Sequence, residues 1–355
     1  MVQLLGLLVG VGLLVWCIKV AFRPENREQL DRLGDASSAQ IAGMLALSVL
    51  SLFFNGMVFW GVIRPVRVEL RDRARAEGRP LPLGFWHVQG VNAVATCLAY
   101  IPFKLSVVFR FFVHRVHDRV PLGTIASWMA AAAAALAAVC VPILLAGVLL
   151  GSSLRGLPLI GVSLAGITFL SALGWVIARL FAGREGLARL RRWAAATRLR
   201  VVRRLTDAQL FADIHAGFAM VGDGRGWLTG LLGRAGDVGV QSIRFWLAGQ
   251  VLGIEMDPGA ALLLGVTYFA LGAASPSGAL GIREGGATGL ATLLHLDGAQ
   301  SYAGVTLLVT AADSIPTLLG AAAGLVMVLR KNRARAHGSV NESALQATSP
   351  VDSDR

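Results

Sequence analysis

The sequence predicts an all-α, polytopic membrane protein with about six full spans and two further helical elements that are broken and re-entrant. Three observations lead there. Of 355 residues, 55% are hydrophobic and only 15% charged, with a mean hydropathy of +0.63, well outside the range of ordinary soluble domains. Apolar runs long enough to cross a hydrocarbon core, which takes roughly 20 residues, recur along the chain. Arginine falls in short blocks between those runs, so the net charge of +12 belongs to the cytoplasmic-loop bias of membrane topology and not to a nucleic-acid partner. The same basic loops would attract anionic lipid headgroups.

In chain order, the expected spans are 2–20, 41–63, 124–150, 157–182, 227–252 and 302–328. Met1 to Trp16 has no basic leading region and no small-residue cleavage site follows, so the first run is an uncleaved span. Two other apolar regions are interrupted: 84–103 at Pro102, and 259–296 around Pro276 and Gly278. Arginines at 64, 67, 71, 73, 75 and 79, the basic residues of 104–119, those of 183–204 and those of 330–335 place these four segments on the cytoplasmic side. Lys19–Asp35, with four basic and four acidic residues, and the connectors 151–156 and 253–258 belong outside.

That assignment makes 84–103 enter and leave on the cytoplasmic face and 259–296 do the same from the opposite face. Both termini are then cytoplasmic. Paired Gly/Pro-interrupted segments in the two halves of a chain point to a transporter-like site near the bilayer midplane. The basic segment 183–223 is expected to lie along the interface, with a plain basic linker as the alternative. The polar tail from about 336 to 355 is expected to be disordered.

The second interruption, Ala274 to Gly286, holds a proline, four glycines and the adjacent pair Arg283-Glu284. Freed backbone groups at membrane depth persist only where protein buries them or where they line a watery cavity. A substrate pathway is the expected use.

Within it, Ser277-Gly278-Ala279-Leu280-Gly281-Ile282-Arg283-Glu284-Gly285 closely resembles the P-G-G-L-G-x-R-E-G signature of the lysylphosphatidylglycerol synthetase transmembrane-region family. Ser277 stands in place of its proline, with Pro276 one place earlier, and Ala279 in place of its second glycine. Asn92 to Arg110 is similar to the family's other marker, although Leu105 and Ser106 follow Lys104 where that pattern has glycine. Pro316 to Gly320 matches the end of its last span, where Asp313 occupies a position that is usually basic. The resemblance extends to about residue 330.

It implies a bacterial inner-membrane protein related to the part of the multiple peptide resistance factor that moves aminoacylated phosphatidylglycerol between leaflets. In such proteins a separate soluble domain performs aminoacyl transfer, and the short polar tail leaves no room for one here. Other relatives serve glycolipid, polyprenyl or hopanoid pathways. Arginine dominance, with only Lys19, Lys104 and Lys331 as lysines, is associated with a GC-rich bacterial genome.

The expected substrate-binding residues are Arg283, Glu284, Pro276, Gly278, Gly281, Lys104, Arg110, Arg244 and Asp237, acting on membrane lipids of anionic or phosphate-bearing kind. A charge at the centre of a span costs about 2.5–3.5 kcal/mol on insertion scales, so Arg283 and Glu284 need compensation. Either Arg283 forks onto a lipid phosphate while Glu284 positions it or attracts a cationic headgroup, or the two belong to structural ion pairs that pin the broken helix. Adjacent helical residues diverge, so partners elsewhere are expected for both. Lys104 and Arg110 provide a matching phosphate contact or act as snorkelling anchors.

Arg234, Asp237, Gln241 and Arg244 share one helix face, which lines a cavity or packs by salt bridges. Asp313 is expected to pair with one of the arginines, and Asn55 and Asn92 to bond between helices. Trp60, Trp86 and Trp246 are expected in the interfacial belts. Cys17, Cys97 and Cys140 lie in apolar segments as core fillers, without disulfide or zinc spacing, and His87, His114, His117, His215 and His295 show no metal-ligand spacing either. Gly222-x-Gly224-x-Gly226 lacks the Lys-Ser/Thr of a phosphate loop, and no cofactor is indicated. No nucleophile, base and oxyanion constellation appears, which leaves a glycosyltransferase-like enzyme using a lipid-linked donor, or an accessory subunit, as alternatives to a lipid translocase.

Overall fold

The structure, a computed structural model, describes residues 2–76, 83–101, 104–150, 156–197, 206, 211–212, 215–275, 278–294 and 302–348. Among them secondary structure is entirely helical. Four helices are long and apolar enough to cross a membrane: Ser38–Val62, Leu122–Leu149, Leu157–Phe181 and Tyr302–Arg330. A fifth span results if Leu7–Ala21 and Pro24–Asp35, bent by 65° at their junction, are one element.

Helix α1 (Val2–Ala21) is followed by short helical turns and α2 (Arg27–Arg32). Helix α3 (Ser38–Val62) starts at a reciprocal cap: the Ser37 Oγ accepts from the Gln40 N–H at 3.2 Å, and the Ser37 N–H donates to Gln40 Oε1 at 2.9 Å. Helix α4 (Arg64–Ala76) is amphipathic. Its Arg67 lies 3.6 Å from the centre of the Trp60 ring, and burial, followed by Arg71 and Arg64, pulls the Arg67 guanidinium down to about 10. Trp60 is partly buried, packed under Arg67 and against Phe85, whereas Trp86 and Trp246 are exposed.

The first interrupted region is a helical hairpin, α5 (Phe85–Leu98) and α6 (Leu105–Val116). Its return limb extends beyond the expected 84–103. Residues expected in a cytoplasmic loop thus form a packed helix, because Arg110 reaches back to Asn92 Oδ1 at 2.6 Å and buries itself with His114. Helices α7 (Leu122–Leu150) and α8 (Leu157–Phe181) follow. Helix α8 turns large apolar side chains outward, Phe169 being 69% exposed, as a lipid-facing helix does. The basic α9 (Gly183–Ala196) and short α10 (Gly217–Gly222) lead into the centre of the molecule, and most of the expected interfacial stretch between them lies outside the described residues.

The innermost helix is α11 (Gly224–Val251). It is long enough to span, but Arg234, Asp237 and Arg244 set it apart from the four apolar helices. Its N-terminus is held by Asp223, which accepts from the Gly226 N–H at 3.1 Å and pairs with Arg64 at 2.7 Å. Gly230 and Gly233 bring its backbone against that of α3, since a Cβ at either would collide with Val62, Phe54 or Val58. Small residues let membrane helices approach in this way.

The second interrupted region is again a hairpin, α12 (Pro258–Ala274) and α13 (Ile282–Leu293). Asp257 caps α12, accepting from the Gly259 N–H at 2.7 Å, and also accepts from the Gly156 N–H at 2.9 Å. Helix α13 folds back on α12, so that a Cβ at Gly286 would meet Leu271 and one at Gly272 would meet Arg283. The last helix, α14 (Tyr302–Thr348), continues past residue 336, where the tail was expected to lack structure. Alanine at 336, 344 and 347, with Glu342, Leu345 and Gln346, favours helix there even without an apolar face.

Candidate functional site: the junction of two hairpin tips

The tips of the two hairpins meet. The Ala279 N–H donates to the Ala99 carbonyl at 2.9 Å, and Lys104 Nζ donates to the Ala273 carbonyl at 3.3 Å. Gly278, at φ +109°, lies so close to the tip of the first hairpin that a Cβ would stand 3.2 Å from the carbonyls of both Tyr100 and Ile101. Pro102 and Pro276, the two prolines expected at these breaks, lie outside the described residues.

Arg283 sits in this junction and is 7% exposed. Its guanidinium carbon lies 4.4 Å from the ring centres of both Tyr100 and Tyr268, so one aromatic from each hairpin stacks on the cation. Its Nε donates to Glu284 Oε1 at 2.8 Å, and its Nη1 lies 3.6 Å from Asp313 Oδ2. The expectation that neighbouring residues 283 and 284 would not pair is corrected here. Glu284 is in the first turn of α13, where its Oε2 accepts from the Gly281 N–H, and this tilts the carboxylate back within reach of Arg283. The Thr310 hydroxyl donates to the same Oε1 at 2.8 Å and contacts the Tyr268 hydroxyl at 2.8 Å.

Asp313 ties this group to α11. It accepts from the Tyr100 hydroxyl at 2.7 Å and pairs with Arg244 Nη1 at 3.2 Å. Arg244 also donates to Gln241 Oε1 at 2.9 Å and to the Val309 carbonyl at 2.8 Å. One turn away, Asp237 pairs with Arg234 at 3.0 Å and accepts from Ser51 at 2.6 Å, while Gln241 donates to Ser51 at 3.1 Å. The polar face of α11 is thus consumed in part by hydrogen bonds to Ser51 of α3 and by the Arg244–Asp313 salt bridge to α14.

The rest faces a cavity of ≈ 270 Å³ between the two tips, α3, α7 and α11. Its charged lining residues are Lys104, Arg110, Arg234 and Arg283 against Asp237 and Asp313, four basic to two acidic. Arg110 is 7% exposed, lies 3.8 Å from the centre of the Phe59 ring, and has no carboxylate partner among the described residues. Arg283 Nη2 and Arg234 Nε are buried without hydrogen-bond partners among the described residues. A desolvated cation without full pairing is costly, and a bound anion offsets that cost.

Of the residues expected to bind substrate, Arg283, Lys104, Arg110, Asp237 and Gly278 line this cavity. Glu284, Gly281 and Arg244 do not. Glu284 and Arg244 stand behind the lining and orient it, while Gly281 is spent on packing: at φ +81°, it presses against the Gly10 carbonyl of α1. Sequence reasoning missed Tyr100 and Tyr268. Their signal was rarity, since the chain has only three tyrosines and these two flank its two breaks.

Histidines separated along the chain also converge. His87 Nε2 and His114 Nδ1 each lie 2.9 Å from Asp118 Oδ2. The chain spacing of these histidines gave no sign of this cluster, which forms because the first hairpin folds residue 87 against residue 114. His215 instead bonds the Phe181 carbonyl at 2.7 Å, and His295 lies outside the described residues. The free thiols Cys17 and Cys140 are buried and Cys97 is partly buried. No protein-family model, curated protein or solved structure matches this chain.

Proposed function

We propose that this protein is a membrane lipid translocase, moving a phospholipid or related polar lipid between leaflets in the manner of the lysylphosphatidylglycerol synthetase transmembrane-region family it resembles. The observation that carries the reading is the excess of basic side chains, four to two, around a cavity between the tips of two helical hairpins. In that reading α11 is a sixth span, and the two hairpins dip into a bacterial inner membrane from opposite faces, both termini being cytoplasmic. A phosphate in the cavity supplies the counter-charge that Arg110 lacks and an acceptor for the unpartnered Nη2 of Arg283, and the acyl chains remain in the bilayer. The tips part or slide to let the headgroup pass. Glu284 and the two tyrosines hold the Arg283 guanidinium in place, so its fork is ordered before the lipid arrives.

The test is transbilayer movement of a headgroup-labelled anionic phospholipid in proteoliposomes. Arg283→Ala is expected to slow movement at least about tenfold, as loss of a charge-assisted bond of roughly 1.5–3 kcal/mol would. Arg283→Lys is expected to restore little, because a point charge neither forks nor stacks between rings. A phosphate-free glycolipid is expected to move no faster than in protein-free vesicles. Unchanged phospholipid movement by a folded Arg283→Ala protein would remove the site from the mechanism, and turnover of a lipid-linked sugar donor would favour an enzyme.

A further inference from the structure

We propose that the base of the first hairpin is a binding site for a divalent transition metal of the zinc class, formed by His87, His114 and Asp118. His87 belongs to the first turn of α5, His114 to the last turn of α6, and Asp118 to the residues just beyond α6. Their ligand atoms, one from each residue, all lie within 4.8 Å of one another. The side chains are 8%, 2% and 0% exposed, so all three ligands are buried.

The convergence is specific in direction as well as distance. His87 Nε2 and His114 Nδ1 are aimed at a single carboxylate oxygen, 2.9 Å from each. In the hydrogen-bonded form both nitrogens are donors to that oxygen. With those two protons gone, three lone pairs point into one space, which is the arrangement a chelated cation requires. Zinc bonds to imidazole nitrogen and carboxylate oxygen are about 2.0–2.2 Å, which sets tetrahedral ligand atoms about 3.4 Å apart. Each N···O separation has to open by about half an ångström and the two nitrogens, within 4.8 Å of each other, have to settle at the same spacing, while a water completes the fourth position. Two imidazoles with one carboxylate suit zinc and its first-row neighbours and not the hard cations, which take all-oxygen sites.

The surroundings hold the three ligands in place. Arg119 has φ +54°, a left-handed conformation that costs a non-glycine residue about 1–2 kcal/mol. That turn directs the chain back after Asp118, and the Val120 N–H donates to the His114 carbonyl at 3.0 Å. At the other entrance, buried Leu83 is also left-handed, at φ 53°. The His114 ring lies 4.6 Å from the Trp128 ring of α7. Arg110, one turn before His114, adds positive charge nearby, but its guanidinium is directed to Asn92 and Phe59. A metal here would join the first turn of α5 to the end of α6 and so set how far Arg110 projects into the cavity. The proposal does not depend on what the cavity carries.

The test uses the tag-free, full-length protein in detergent, stripped with a chelator. Calorimetric titration with Zn²⁺ is expected to show one equivalent per chain at neutral pH, and Co²⁺ is expected to give visible bands of low-coordinate nitrogen and oxygen ligation. His87→Ala, His114→Ala and Asp118→Asn should each weaken binding at least about tenfold, since even removing a residue that only supports a ligand costs 10–100-fold. His215→Ala should leave it unchanged. Absence of both the zinc isotherm and the cobalt bands in the unsubstituted protein would overturn the proposal without any variant having to fold. So would stoichiometric binding that survives all three substitutions, or variants that melt earlier while the unsubstituted protein shows no metal-dependent rise in melting temperature; those results would leave a hydrogen-bonded clamp only.

Discussion

Gly281→Ala is expected to prevent stable folding of the second hairpin against α1, although it adds a single methyl group. Two independent costs coincide at this position. The backbone is at φ +81°, where a side chain is disfavoured by about 1–2 kcal/mol. The added Cβ would also stand 1.7 Å from the Gly10 carbonyl oxygen, and a backbone oxygen cannot rotate aside as a side chain can. Helix α1 would have to withdraw by more than an ångström, losing the contacts of Leu13 with Gly285 and of Cys17 with Thr288.

Overpacking of this kind costs about 1–3 kcal/mol or more, so the combined loss is about 2–5 kcal/mol. Detergent melting followed by size-exclusion fluorescence measures it. Gly278→Ala should be milder, since its Cβ would be 3.2 Å from two carbonyls, and Gly289→Ala, which meets nothing within 4 Å, should be neutral or slightly stabilising. A Gly281→Ala protein that melts like Gly289→Ala would show that α1 does not pack on this turn.

Asp313→Ala is expected to be about as damaging, for electrostatic reasons. One carboxylate serves two buried arginines and a tyrosine: Arg244 at 3.2 Å, Arg283 at 3.6 Å and the Tyr100 hydroxyl at 2.7 Å. Removing it leaves Arg244, with a side chain 0% exposed, hydrogen-bonded among the described residues only to the neutral Gln241 and the Val309 carbonyl, with Asp237 further along the same helix. Breaking a buried pair from one side costs about 3–5 kcal/mol because the other charge stays desolvated. Asp313→Asn keeps an acceptor for Tyr100 but not the charge, and should fall between Asp313→Ala and the unsubstituted protein.

The double variant Arg244→Met/Asp313→Leu separates this from simple volume loss. It removes both charges together and should melt at a higher temperature than Asp313→Ala. Equal losses in the single and double variants would mean that packing, not the ion pair, holds α11 to α14. Under the proposed function, lipid movement is expected to fall in Asp313→Ala even at temperatures where the protein is folded, because Arg283 loses one of the two acids that position it.

Much of the architecture was legible in the residue order. Apolar runs mark α3, α7, α8 and the first part of α14 to within a few residues, and Pro102 with Pro276–Gly278 marks both places where the helices break. Arg283 stood out because no lipid-facing helix retains such a charge without compensation. The return limb α6 was harder to see, since Arg110, His114 and Arg115 give it the composition of a basic loop. Nothing local shows that Asn92 and Phe59 would accept Arg110 as a buried side chain.

The division has a physical cause. Partition into lipid, helix interruption and the bias of arginine between spans depend on a residue and its near neighbours, so the sequence alone determines an all-helical chain, apolar enough to span a membrane, with two broken elements. Which broken element meets which depends on helix crossings between distant segments: Tyr100 finds Asp313 across 213 residues, and Lys104 finds Ala273 across 169. Only the tertiary structure decided that two tyrosines would clasp Arg283, that Gly281 would serve packing instead of binding, and that His87 would meet His114 over Asp118. Those outcomes depend on how closely backbones approach, a property of paired surfaces that no single helix carries in its own order of residues.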